Sequence, residues 1–89
     1  MKKYEVTLNL IESNQFTVNP VHYKYKEDQR KYGVSFEALA KTDKPVTCIV
    51  NGEQVQARRI IEEYGQLLFI HNFNQKEYSF DEVETLEIL

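Results

Sequence analysis

The stretch NGEQVQARRIIEEYG, residues 51–65, decides the fold. As a helix it places Ala57, Ile60, Ile61 and Tyr64 at i, i+3, i+4 and i+7, with Asn51 and Gln54 at capping spacing and Gly65 as the stop. As a strand it places Val55, Ala57 and Ile61 on one side and Gln54, Gln56 and Arg58 on the other. Propensity suits the helix. Context suits the strand, because both residues of Asn51-Gly52 accept the positive φ of a type I′ hairpin turn, a signal that a helix would leave unused. The strand reading gives a mainly β chain, a small antiparallel barrel or strongly curved sheet. The helix reading, over residues 53–64, gives an α+β chain.

Working outward from this segment, Val46, Cys48 and Val50 alternate with Thr47 and Ile49, a strand that enters the turn after an earlier turn at Thr42-Asp43-Lys44-Pro45. On the other side LLFIHNF, residues 67–73, is a nearly continuous apolar run, short enough for a central strand buried on both faces. Asn74-Gln75-Lys76 turns the chain into Glu77-Tyr78-Ser79-Phe80. Asp81-Glu82 reads as one helical turn, and Val83, Leu86 and Ile88 close the chain as a strand with an acidic face.

In the first half, Tyr4, Val6, Leu8 and Leu10 alternate with Glu5, Thr7 and Asn9, which predicts a strand ending in a turn at Glu12-Ser13-Asn14-Gln15. Phe16 and Val18 resume the alternation, but after Asn19-Pro20 the apolar positions move from even to odd numbers. Proline cannot donate to a ladder, so the slip predicts a bulge or break in an edge strand. In the strand that follows, Val21, Tyr23 and Tyr25 share one face while His22, Lys24 and Lys26 share the other. Lys26 to Lys31 reads as a hairpin tip. Tyr32, Val34, Phe36 and Ala38 alternate in the strand that leaves it.

The chain of 89 residues reads as a single domain, 1–89, because two cores would each fall below the size that folds without staples. A body this small has little room for a deep catalytic pocket, so a shallow surface is the expected working part. No apolar run approaches the length of a membrane span, and MKKYEVTLNLIESN alternates where a secretory segment would be continuous, which predicts a cytoplasmic protein. The single cysteine excludes an internal disulfide and agrees with a reducing compartment. A net charge of −3 argues against a general nucleic-acid binder, yet residues 21–32 concentrate Lys24, Lys26, Arg30 and Lys31, whereas residues 77–89 hold five acids and no base. These two patches suit a partner or self-association.

From Val46 onward the rhythm of strand, Gly-containing turn, strand, apolar central strand and YSFDEVETLEI resembles the tail of small Sm-like or SH3-like barrels, including bacterial YolD-like proteins. The resemblance covers about half the chain. It implies a small barrel and, for the Sm-like kind, RNA binding; the Asp-x-Met-Asn and Arg-Gly signatures of that function are missing, since the only methionine is Met1 and Arg58-Arg59 is followed by Ile60.

No motif specifies catalysis. Cys48 alternates into a buried face where a thiol is inert, and His22 and His71 lack the local spacing of a metal site, so neither a catalytic residue nor a metal or other cofactor is expected. Asp81, Glu82, Glu84 and Glu87 lack the glycine and fixed offsets of a calcium loop and read as a solvated face. The candidate binding residues are Tyr23, Lys24, Tyr25, Lys26, Arg30, Lys31 and Tyr32, joined by Arg58 and Arg59. Tyrosine and arginine beside an edge strand are the composition of a protein interface. The expectation is a non-catalytic protein-binding module, a small bacterial or phage regulator or inhibitor, able to form a homodimer through an edge strand. The alternative is a nucleic-acid-binding small barrel that uses the same basic, tyrosine-rich segment.

Overall fold

Residues 53–57 and 59–63 are strands, so the α+β alternative with a helix over 53–64 does not hold. The computed structural model describes residues 3–19, 22–26, 31–63 and 65–89, and it is mainly β. Asn51 and Gly52 take φ of 50° and 83° and join β4 (Val46–Val50) to β5 (Glu53–Ala57), with Val50 paired to Glu53. This is the two-residue turn that Asn-Gly encodes.

The extended stretch is two strands rather than one. Arg58 forms a bend, after which β6 (Arg59–Glu63) enters a different sheet. The bend moves the parity by one residue: Val55 and Ala57 are buried before it, Ile60 and Glu62 after it, so Ile61 does not join their face as simple alternation implied. The Arg58 N–H donates to Ile70 O and its carbonyl accepts from the Ala40 N–H, each at 2.9 Å, so the bend leaves neither backbone group of Arg58 unmet.

The first sheet contains β1 (Phe16–Val18), β2 (His22–Lys26), β3 (Lys31–Ala40), β6, β7 (Gln66–His71) and β8 (Asn74–Ser79). Its order is β1-β3-β6-β7-β8, with β2 also on β3. The second sheet runs β5-β4-β9, where β9 is Leu86–Ile88. All pairings are antiparallel, and among the described residues the sheets do not close into a barrel. Phe36, Ala38, Ile60, Leu67 and Phe69 of the first sheet and Val46, Cys48, Val50, Val55 and Ala57 of the second share one core.

Strand β7 is buried on one face only: Leu67 and Phe69 are enclosed, while Leu68 and Ile70 are half-buried. Its hairpin turn falls at Asn72-Phe73, not at residues 74–76, because Asn72 accepts a φ of 54° and lets His71 pair with Asn74. Phe73 is left fully exposed at the tip. The single turn expected at Asp81-Glu82 is a 3-10 turn over Phe80–Glu82.

The N-terminal segment differs from its reading as a strand. It is a helix, α1 (Lys3–Ser13). Val6, which alternation would bury, is 49% exposed, whereas Thr7 and Ile11 are buried and Leu8 is half-buried. That is helical spacing, and Ile11, out of phase with the alternation, is the residue that distinguishes the two periods. The Asn14 side chain donates to Leu10 O at 2.6 Å and its backbone N–H to Ile11 O at 3.3 Å, satisfying carbonyls of the last turn.

The break expected at Pro20 lies outside the described residues, but the registers that flank it differ. Val18 pairs with Ala38 and His22 with Ser35, so β1 to β2 advances four residues while β3 advances three. One extra residue on the edge is the count of a bulge.

Candidate functional site

Strand β3 is ten residues long, and its two ends serve different partners. From Ser35 to Leu39 it pairs with β6; from Lys31 to Ser35 it pairs with β2. Beyond Ser35↔Glu63, the last described β3–β6 pair, four further pairs continue: Val34↔Tyr23, Gly33↔Lys24, Tyr32↔Tyr25 and Lys31↔Lys26. The β2–β3 pairing therefore extends about 13 Å, at 3.3 Å per residue, past the last β3–β6 pair among the described residues.

Register sorts the hairpin into two sets. Paired residues of an antiparallel ladder belong to one face, so positions 23, 25, 32 and 34 continue the set that holds the buried Phe36 and Ala38. Positions 22, 24, 26, 31, 33 and 35 continue the set of the half-buried Glu37 and the exposed Leu39. Three tyrosines and a valine thus stand in one set, and three lysines and a histidine in the other. The structure brings together Tyr23, Lys24, Tyr25, Lys26, Lys31 and Tyr32 of the sequence-derived site; Arg30 lies outside the described residues.

Arg58 and Arg59 do not join them. Arg59 pairs with Leu39, eight positions along β3 from Lys31, a separation of about 26 Å. There Arg59 forms an ion pair with Glu37, and the exposed Arg58 lies 3.8 Å from Asp43. Such exposed pairs contribute little stability. Sequence order misled here because the bend at Arg58 carries both arginines to the opposite end of β3.

The other candidates are also dispersed. His22 lies in the row of Ser35, Glu63 and Gln66, whereas His71 is at the far end of β7. Among the described residues no group of three His, Cys, Asp or Glu side chains is placed to hold a metal. Cys48 is fully buried, and burial pushes its thiol up to about 12, far from a reactive thiolate. No helix among the described residues is long and apolar enough to cross a membrane.

One constellation has no signal in the sequence. Tyr78 on β8 donates to Glu53 Oε1 on β5 at 2.6 Å, Lys76 Nζ approaches the same oxygen at 3.1 Å, and the Tyr78 ring meets Phe69 edge-on at 5.7 Å. This group ties the two sheets together beside an open groove of about 330 Å³ lined by Gln54, Gln56, His71 and Gln75 among others. Its members are up to 25 residues apart, so only the tertiary fold assembles them.

The Tyr78 hydrogen bond, then that of Lys76, holds the Glu53 carboxyl below its ordinary value of 4.5. Partial burial first, then Glu53, raises the Tyr78 hydroxyl from 10.0 to about 12. Because the Tyr78 value is raised, its contribution to stability is complete below pH 10 and disappears as pH rises toward 12. Glu53 has the opposite sign: its contribution is present above pH 4.5 and fades as pH falls through the lowered value. A phenolate absorbance titration of the native protein and of Tyr78→Phe checks this: the difference between the curves should rise near pH 12. A difference curve centred on pH 10 would contradict the link.

No protein-family model matches the chain, and no match is found among the curated proteins or the solved structures.

Proposed function

We propose that this protein is a non-catalytic protein-binding module, a small regulator or inhibitor of bacterial or phage type, which meets its partner through the β2–β3 hairpin. The carrying observation is the set of four register pairs that continues beyond the β3–β6 ladder. Among the described residues no strand pairs with β3 opposite these four positions, and the residue types there are those of interface anchors with a basic rim. Fourteen acids against eleven bases leave the body repulsive to phosphate chains. The nucleic-acid alternative draws on the same tyrosines and lysines but loses Arg58 and Arg59, which sit at the other end of β3. That leaves few phosphate contacts and modest affinity at physiological salt.

The test places a photo-crosslinking phenylalanine analogue at Tyr25 in the full chain and, as a control, at the exposed Lys44. Crosslinking in the host, followed by nuclease treatment, should give a discrete protein adduct at position 25 that nuclease leaves intact and that position 44 lacks. Adducts that nuclease removes would overturn the reading, as would equal adducts at both positions.

A further inference from the structure

Resting on this reading of the hairpin, we infer that the partner presents an extended acidic segment that adds to β2 as a new edge strand. In that segment acidic residues at alternate positions stand opposite the register positions of Lys24 and Lys26, and apolar or aromatic residues stand opposite those of Tyr23 and Tyr25.

Among the described residues β2 pairs on one side, with β3. In an antiparallel ladder alternate residues direct both N–H and C=O away from the neighbour, so the outer edge of β2 offers donors and acceptors together. A polypeptide strand answers both. Phosphates accept but do not donate, so a phosphate backbone leaves the carbonyls of that edge unmet.

Charge selects the kind of strand. The set formed by positions 22, 24, 26, 31, 33 and 35 is His, Lys, Lys, Lys, Gly and Ser, with no acid. Lys24 and Lys26 repeat every second residue, about 6.8 Å apart, which is also the repeat of like-facing residues in an added strand. Opposite charges directly across a ladder stabilise it and like charges oppose it.

The same rule disfavours a second copy of β2. An antiparallel copy that keeps the two sets facing their own kind places Lys24 against Lys24 with His22 against Lys26, or His22 against Lys24, or Lys24 against Lys26. Those with Lys24 against Lys24 or Lys24 against Lys26 set lysine against lysine, and the register with His22 against Lys24 offers no acid to either. An acidic strand relieves what a self-pair would incur.

The test measures binding of short labelled peptides to the full chain by fluorescence polarisation: one alternating glutamate with valine and tyrosine, one with lysine in place of glutamate, and two forms of the first N-methylated on alternate amides in the two possible phases. A short oligothymidylate is measured alongside. The glutamate peptide should bind, Lys24→Glu with Lys26→Glu should weaken it about tenfold or more, and the charge-matched Lys41→Glu with Lys44→Glu should not. One N-methyl phase should abolish binding and the other should leave it, because only alternate amides meet the edge. Failure of the glutamate peptide to bind overturns the inference. Equal binding of both N-methylated forms also overturns it, since charge would then act without strand addition; so does tighter binding of oligothymidylate with the same lysine dependence. If the crosslink at position 25 yields its protein adduct while the glutamate peptide fails, the inference falls and the binding module stands. If neither is seen, both fall.

Discussion

Phe69→Ala should destabilise the protein by about 3–5 kcal/mol, against a total of roughly 5–9 kcal/mol for a domain of this length. Phe69 is 1% exposed in β7, between Ile60 of β6 and Lys76 of β8 in the ladder, with its ring edge-on to Tyr78. Truncation removes its transfer free energy and leaves a cavity in the core that the two sheets share. The adjacent Leu68→Ala is the internal comparison: Leu68 is half-buried on the opposite face, so its loss should cost about 1 kcal/mol. Urea denaturation of both variants measures the difference. Equal costs would mean that both faces of β7 are enclosed, contrary to the burial found here.

The second large effect is expected at Asn51, whose side chain fastens a tight turn to a distant loop. Its Nδ2 donates to Glu82 O at 2.8 Å, and its Oδ1 accepts from the N–H of Glu84 at 2.7 Å and of Thr85 at 3.1 Å. Its own N–H donates to Thr85 O at 3.0 Å. These bonds hold the segment that leads into β9, a strand of three residues paired to β4. Asn51→Ala removes three side-chain hydrogen bonds and puts a disfavoured residue at a φ of 50°, for a loss of about 2–4 kcal/mol. Asn51→Gly keeps the backbone freedom and loses the bonds, so it should fall between alanine and the parent. Faster amide exchange in residues 86–88 of both variants would locate the loss; an unchanged denaturation midpoint in Asn51→Ala would contradict the clamp.

Asn51 also shows how much of the fold was legible in the sequence. The Asn-Gly pair announced its turn because both residues accept positive φ, but nothing local announced bonds to residues 82–85. The strands with clean alternation, Val46–Val50 and the Phe36-Ala38 part of β3, were readable because one face is buried along their length. The segment at 3–13 was misread because Val6, Leu8 and Leu10 satisfy a period of two, while the evidence for a helix lay in Ile11, outside that period. Arg58 illustrates a second limit. A bend that transfers the chain between sheets has no requirement for glycine or proline when Ile70 and Ala40 satisfy its backbone groups, so nothing in residues 53–63 marked it.

The candidate site was legible in part for the same reasons. The slip of apolar positions at Pro20 falls outside the described residues, and the flanking registers differ by one residue; the alternation of tyrosine with lysine corresponds to the two sets into which register sorts positions 22–26 and 31–35. What sequence could not supply was relative position: that the described β3–β6 pairing ends at Ser35 while the β2–β3 pairing continues to Lys31, and that Arg58 and Arg59 belong to the far end of β3.

Site-resolved amide hydrogen exchange of the full chain, with and without the alternating glutamate peptide, tests the placement of recognition most directly. Slowed exchange is expected at alternate amides of residues 22–26, with the groove between β5 and β8 unchanged. Protection confined to that groove or to the α1–β9 side, or no protection anywhere, would contradict it.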